Sequence, residues 1–590
     1  MIAAFITDNF VPIMFLSLIV LLLTGFPVAF GLAATGLVFG MLGIALELFP
    51  TNLFQVLPLR IFGIMQNETM LAIPFFTLMG IILERSGMAE DLLETMGQLF
   101  GAVRGGLAVS VVLVGALLAA STGITSAVVI SMGLISLPVM LRYGYKREIA
   151  TGVITASGAL VQALPPSLVL IVMADQLGRS VGDMYAAALG PGLLLLVIYI
   201  AFIIILALVR PTWMPALPEQ ARSQATATGA SGRRSLGMLI LLCTFIGFTW
   251  AGLHNEVMAQ VFSTPAQAPG DQVAITALVV ASLSALAFAS INRVTGWGLL
   301  SQLAERFVFA LIPPVILIFL VLGTIFLGIA TPTEGGAMGA LGALVLALVR
   351  KRLSWSLLNQ ALENTAKLAI FVMFILIGST VFSFTFSAAD GHLWVEHLFD
   401  AIPGGELGFV IAVSAIIFVL GMFLDFFEIA FIVVPLLAPV ANSLGIDLIW
   451  FGIVIALVLQ TSFLTPPFGF ALLYLRSVAP RADYVDAVSR QTIPRVRTQQ
   501  IWKGSAYFVV LQLLVVGIVI AYPQLATGGL HQTSSLSEEE IMQQLNRSTP
   551  ILGSDADLAD DPLRNPFDQQ ASAGDQDPMA MLLQSMQPKP

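Results

Sequence analysis

The chain has 590 residues, of which 57% are hydrophobic and only 10% charged, with a mean hydropathy of +0.93. A soluble domain carries about 25% charged residues, so a water-soluble globular protein is excluded. Net charge is −9, but residues 531–590 alone hold ten acidic and three basic side chains, so the acidity belongs to the tail and says nothing about a ligand.

In chain order, residues 9–46 form two apolar runs divided at Gly25-Phe26-Pro27, and 50–68 read as a mixed, interfacial segment. The first run lacks a basic leader and an A-x-A site, so no cleavable signal is expected. A span follows at 69–84, then a charged loop over 85–105. Residues 106–140 are apolar but interrupted by Ser121-Thr122-Gly123-Ile124-Thr125-Ser126, and a span at 148–174 is broken by Pro165-Pro166-Ser167. Further spans fall at 184–209, 236–253, 272–290, 307–329, 333–349, 367–387, 406–441, 448–474 and 504–522, each long enough or nearly so to cross about 30 Å of hydrocarbon. The single Cys243 permits no intramolecular disulfide.

A shift of 301 residues carries Pro138-Val139 onto Pro439-Val440, Gly144 onto Gly445, Val153-Ile154 onto Val454-Ile455 and Pro165-Pro166 onto Pro466-Pro467, with no gap. This is an internal duplication. Basic residues orient it: Arg142, Lys146 and Arg147 mark one loop as cytoplasmic, whereas its counterpart 443–448 has no positive charge. The two copies are expected to face opposite ways, as in many secondary transporters. Residues 106–140, flanked by cytoplasmic loops, are then a re-entrant hairpin from inside, and 406–441 its partner from outside with a tip near Asp425. Irregular backbone at membrane depth survives only where protein buries it or it lines a wet cavity.

The sequence thus divides into N-terminal membrane helices (1–105, mostly scaffold), a first repeat core (106–174), a scaffold helix (175–209) and a polar cytoplasmic linker (210–235). Second-half helices (236–405), a second repeat core (406–474), a cytoplasmic loop with the last helix (475–522) and an acidic tail (523–590) follow. The tail is too polar to bury a core, apart from a short helix that Ser537 and Glu540 would cap.

Each Pro-Pro pair removes two backbone donors and frees carbonyls one turn earlier, near residues 160–164 and 461–465. Hydroxyls of Ser121, Thr122, Thr125, Ser126, Ser167, Thr461, Ser462 and Thr465 can add to them. Neutral oxygens suit a hard monovalent cation such as Na⁺, and opposed half-helix N-termini favour an anionic substrate. The same hydroxyls could simply back-bond within helices, and the prolines simply kink them. Thr331-Pro332-Thr333-Glu334 reads as a capped helix restart or as a polar group beside the transport path. Asp425 divides likewise between capping and ion contact. The four His lie outside the apolar runs, and there is no HExxH, Walker loop or GxSxG, so no enzyme is expected.

These residues resemble a known family: the large membrane subunit of tripartite ATP-independent periplasmic (TRAP) transporters. The likeness covers roughly 10–520 and rests on LAIPFFTLMG at 71–80, AASTGITSAVV at 119–129, ALPPS at 163–167, GIATPTEGGA at 328–337, GMFLD at 421–425 and LTPPFG at 464–469. Where many members have an SGSS-like first tip, this chain has the 121–126 variant of the subgroup for mannitol, chloroaromatic compounds or 2-oxo acids. The resemblance implies an all-α, inverted-repeat elevator transporter with two re-entrant hairpins and discontinuous helices, in the bacterial inner membrane. It implies no cofactor beyond Na⁺ as coupling ion. The implied partners are a small four-helix membrane subunit, a periplasmic solute-binding protein, a small organic acid and membrane lipid, without nucleic acid. It places one Na⁺ site at Ser121, Thr125 and Ser126 with Pro165, Pro166 and Ser167. The other lies at Asp425 with Thr461, Thr465, Pro466, Pro467 and Gly469. Substrate would lie between the tips, at Ser121, Thr122, Gly123 and Asp425, with Thr333 and Glu334 beside the path. The alternative is a stand-alone Na⁺- or H⁺-coupled anion symporter of the same architecture without a binding protein.

Overall fold

The computed structural model describes residues 2–218, 232–262, 270–296, 298–400, 402–486, 488–528 and 530. Residues 219–231 of the 210–235 linker and the tail from 531, with its expected Ser537 cap, therefore lie outside the described residues. The described chain is almost wholly helical, and ten of its helices are long and apolar enough to cross a membrane.

The duplication is explicit in the helix boundaries. The first copy is a hairpin of arms Gly106–Thr122 and Thr125–Arg142, then Arg147–Ala159, a 3₁₀ turn Leu160–Gln162 and Leu168–Gln176. The second is Gly405–Leu420 and Phe426–Ser443, then Leu448–Phe463 and Phe470–Val478. The 301-residue shift carries Thr125 onto Phe426, Arg142 onto Ser443 and Arg147 onto Leu448. Both Pro-Pro bonds, Pro165-Pro166 and Pro466-Pro467, are cis.

Each hairpin returns to the end from which it started. Gly105 N donates to Met214 O (3.1 Å) and Lys146 N to Trp213 O (2.9 Å), so neighbouring residues hold the beginning and the exit of the first hairpin together. In the second, the Phe409 ring stacks 5.9 Å from Phe451, just past the exit.

The two copies are inverted, and the last helix, Thr498–Ala521, measures it. Gly504 meets the first turn of Arg147–Ala159 so closely that a Cβ would stand 1.9 Å from Glu148 O. Trp450, in the first turn of Leu448–Phe463, donates from Nε1 to Val519 O (3.0 Å). Gly504 and Val519 are about 22 Å apart along one helix, so the two broken helices enter the protein from opposite ends. The packing is reciprocal: Thr125–Arg142 lies on Phe470–Val478, and Phe426–Ser443 on Leu168–Gln176. Arg142 donates to both Asp486 oxygens (2.9 and 2.8 Å), tying the first hairpin to the loop before Thr498–Ala521. This bond, with the Ser489 N–H, holds the Asp486 carboxyl well below the usual carboxylate range. The pair therefore stays charged above the ordinary carboxylate pKa and is lost only as pH falls through the lowered value.

Two sequence expectations change. Residues 85–105 are not a loop: Met88–Phe100 is an amphipathic helix that buries Met88, Leu92, Leu93 and Met96 and turns its charged residues away. The loop 476–503 carries a small antiparallel pair, Tyr484–Val485 with Thr492–Ile493. Helix Val181–Val209 packs on Leu448–Phe463, Thr498–Ala521, Gly106–Thr122 and Leu168–Gln176, and so touches both repeat cores. Its turns at Tyr199 and Phe202 meet the Phe508 ring of Thr498–Ala521 edge-on. By contrast, Val28–Ala45 lies along Trp355–Ala388, where Thr385 Oγ1 donates to Gly36 O (2.9 Å).

Candidate functional site

At the first tip, Ser121 and Thr122 close one arm and Thr125 opens the next. The turn between them needs Gly123, whose φ of +66° a β-carbon would disfavour. Ser121 Oγ and Thr122 Oγ1 both donate to Leu118 O (3.1 and 2.8 Å). This is the back-bonding considered from sequence, yet a hydroxyl that donates its proton keeps its lone pairs for a cation. The tip rests on helix Ala72–Arg85 at Gly80, where a Cβ would stand 2.4 Å from Thr122 O. Its other side faces the first break, with Gly123 against Leu168.

That break is buried throughout residues 161–170. Leu160 O accepts from both Ala163 N and Leu164 N (3.1 and 2.9 Å). Among the described residues the carbonyls of Ala163, Leu164 and Pro165 accept no backbone N–H. Ser167 Oγ reaches only to Gln162 O, at 3.5 Å.

The second tip and break also meet. A Cβ on Gly421 would stand 2.2 Å from Ser462 Oγ, and the Phe423 and Phe468 rings are 5.2 Å apart. Thr461 and Thr465 back-bond, Thr461 Oγ1 to Leu457 O (2.8 Å) and Thr465 Oγ1 to Thr461 O (2.9 Å). Gly469 precedes the helix that restarts at Phe470. The junctions are not alike in exposure: the first is sealed, while Pro467, Phe468 and Phe423 are exposed.

Asp425 is the N-cap of Phe426–Ser443, its Oδ1 accepting from Phe426 N (2.7 Å) while Glu428 Oε2 accepts from Asp425 N (2.9 Å). Thr331 and Glu334 form the expected capping box. Thr333 Oγ1 donates to Glu68 O (2.6 Å), and no hydrogen bond among the described residues links Thr333 or Glu334 to either tip. Their neighbour Pro332 lines a separate cleft of about 410 Å³ with Thr69, Asp175 and Arg179.

Two residues went unnoticed in the sequence. Gln162 and Gln460 are wholly buried, and among the described residues neither amide atom of either side chain closes a hydrogen bond. A buried, unpaired amide is costly. Each precedes its Pro-Pro pair by one to two turns. Gln460 lies alongside the Tyr199 hydroxyl without closing a bond to it, and that hydroxyl accepts from Gln512 Nε2 (2.7 Å). A lone Gln in an apolar run just before a Pro-Pro was the signal available. The donor set at both junctions is neutral oxygen, apart from the Asp425 cap. No group of three or more His, Cys, Asp or Glu that could hold a metal occurs among the described residues.

The family description "Tripartite ATP-independent periplasmic transporter, DctM component" matches residues 15–525. The chain is 28% identical over 439 residues to the C4-dicarboxylate TRAP transporter large permease protein DctM of Pseudomonas aeruginosa, covering 73% of this chain and 82% of that one. It is 26% identical over 516 residues to the ectoine TRAP transporter large permease protein TeaC of Halomonas elongata, covering 87% and 97%. The crystal structure of the YdaH transporter of Alcanivorax borkumensis aligns with a TM-score of 0.48 at 13% identity, over 82% of this chain and 90% of that one. A match of this extent, on a duplicated membrane core whose hairpin tips meet its broken helices, makes the chain a member of the DctM component family: a TRAP transporter large permease subunit, spanning the inner membrane many times.

Proposed function

We propose that this permease takes up a small organic acid anion by Na⁺ symport, receiving it from a periplasmic binding protein and working beside a small four-helix membrane subunit. The observation that carries the reading is the pairing of each hairpin tip with a broken helix that offers free carbonyls, hydroxyls and a buried, unpartnered Gln. At the first junction Na⁺ would meet Ser121, Thr125, Ser126 and the backbone around Pro165, Pro166 and Ser167. At the second it would meet Thr461, Thr465, the backbone from Pro466 to Gly469, and the Asp425 cap. Gln162 and Gln460 supply side-chain carbonyls that the fold otherwise leaves unsatisfied.

Helices begin at Thr125, Leu168, Phe426 and Phe470, all at tips or breaks. Their N-terminal partial positive charges favour an anion between the tips, near Ser121, Thr122, Gly123 and Asp425. The relatives named above are called after a dicarboxylate and ectoine, both carrying carboxylate. Na⁺ at the junctions fixes the tips and adds positive charge, so cation and anion stabilise one another's binding, and the coupling is reciprocal.

The moving body in this reading is the two repeat cores with Val181–Val209 and Thr498–Ala521, which pack as one. It slides as an elevator against the framework that includes Val28–Ala45 and Trp355–Ala388. The exposed second tip then marks the gate through which substrate arrives or leaves.

The test is uptake of a radiolabelled C4-dicarboxylate or 2-oxo acid by proteoliposomes holding the permease and its small subunit. Uptake should need both an inward Na⁺ gradient and the substrate-loaded binding protein. Equal uptake with K⁺ in place of Na⁺ would remove the coupling assignment. Equal uptake without the binding protein would favour the stand-alone symporter.

A further inference from the structure

A cavity of about 1260 Å³, lined by no residue of either tip, lies among Met88–Phe100, Gly270–Thr295, Gln302–Phe326 and Pro332–Val349. Its mouth is basic. Arg293, Arg306, Arg350 and Arg352 line it, the last two belonging to the Arg350-Lys351-Arg352 run whose charge is expected on the cytoplasmic side. Of the acids at the mouth, Asp91 is bound to Arg350 (3.0 Å) and Glu305 accepts from Asn292 Nδ2 (2.5 Å). Among the described residues Arg293, Arg306 and Arg352 have no carboxylate partner, and Arg293 lies over the Phe309 ring at 5.3 Å. Four arginines against Asp91, Glu94 and Glu305 leave the mouth with one positive charge in excess, and three guanidinium groups outside any ion pair.

Above the mouth the walls are apolar: Leu283, Leu286, Ile316, Leu317, Leu320 and Leu346. Leu283 and Leu320 are 49% and 39% exposed, so the shaft opens sideways to the bilayer. Its depth follows from the helices. Arg306 to Leu320 spans about 21 Å, Leu283 to Arg293 about 15 Å and Gly342 to Arg350 about 12 Å. Half of a 30 Å hydrocarbon core is about 15 Å. The cavity is thus as deep as one leaflet, whereas a partner helix would need an apolar track about twice as long.

We infer that this cavity holds one anionic phospholipid of the cytoplasmic leaflet, its phosphate among Arg293, Arg306 and Arg352 and an acyl chain along Leu286, Ile316 and Leu320. Charge-assisted bonds from guanidinium to phosphate supply the selectivity, and the apolar shaft supplies the rest. A lipid here holds the neighbours of Gln302–Phe326 apart at a fixed spacing, which the empty cavity alone does not secure.

The test uses the full chain purified in mild detergent, with bound lipid counted by native mass spectrometry. Delipidated protein is then titrated with phosphatidylglycerol or phosphatidylcholine. Wild type should keep about one anionic phospholipid per chain. The double variant Arg306→Gln/Arg352→Gln should bind phosphatidylglycerol about thirtyfold more weakly, while Arg306→Lys/Arg352→Lys retains most of it. Leu320→Trp, which fills the shaft from its exposed side, should lower occupancy without touching the mouth. Equal binding of phosphatidylcholine, unchanged occupancy in the Gln and Trp variants with native elution profiles, or a stoichiometric protein seated there instead would each overturn the inference.

Discussion

Gly80→Val is expected to reduce uptake to on the order of 1% of wild type while the protein still reaches the membrane and elutes as a folded species. The reason is steric and local. Gly80 sits in Ala72–Arg85, a helix outside both repeats, yet the first tip lies directly on it. A Cβ there would stand 2.4 Å from Thr122 O and 2.7 Å from Thr122 Cα. These are backbone atoms, with no flexible side chain to swing aside, so the tip must move by about 1 Å to reach ordinary contact. Misplacing a binding group by about 1 Å can cost about a hundredfold, and the displaced residues are the ones proposed to hold Na⁺ and substrate. Gly80→Ala should give a milder form of the same defect, seen as a raised Na⁺ half-saturation. Gly63, where an added Cβ meets nothing within 4 Å, is the control: Gly63→Ala should transport normally. Normal uptake by Gly80→Val would remove the first tip from the site.

Gln162→Leu and Gln460→Leu should move function and stability in opposite directions. If each amide oxygen is a cation ligand, its loss costs about 1–3 kcal/mol of Na⁺ binding, roughly a 5- to 150-fold rise in the Na⁺ concentration for half-maximal uptake. In the absence of Na⁺ the same amides are buried and unpaired. Replacing them with an apolar side chain of similar size removes a desolvation penalty, so melting in Na⁺-free buffer should be unchanged or higher. A structural amide would show the reverse: lower stability and unaltered Na⁺ dependence. Gln460 carries one complication, its position beside Tyr199, so Gln162 gives the cleaner reading.

Much of this arrangement was legible because it is written twice. Pro-Pro pairs, hairpin tips and a loop charge that disappears in its copy are local signals, and together they gave the duplication, the inversion and both junctions. The capping box at Thr331 and Glu334 was equally local, and the structure forms it. Residues 85–105 misled because Glu90, Asp91 and Glu94 made the stretch look like a loop. Its apolar residues keep helical spacing and turn inward, and a charged outer face is normal for a short amphipathic helix. Gly80 was unreadable for a different reason. Nothing in Ala72–Arg85 announces that Thr122 will press on it, since the contact depends on where a hairpin is set down. Helix Val181–Val209 is apolar on every side, so its sequence could not say which neighbours it joins. Gln162 and Gln460 were visible but uninformative until the absence of any partner was known.

The central claim is that the tip–break junctions bind Na⁺ selectively, and thermal stability of the purified protein tests it most directly. Unfolding would be followed in matched series of NaCl and KCl at constant ionic strength, for wild type, Gly80→Val and Gln162→Leu. A ligand that binds only the folded state stabilises it by RT ln(1 + [L]/Kd), about 2.7 kcal/mol at a hundredfold excess over Kd. Wild type should therefore melt progressively higher as Na⁺ rises and stay flat in K⁺, with Gln162→Leu needing more Na⁺ for the same gain and Gly80→Val gaining little. Identical melting of wild type in Na⁺ and K⁺ across the whole range would contradict the account.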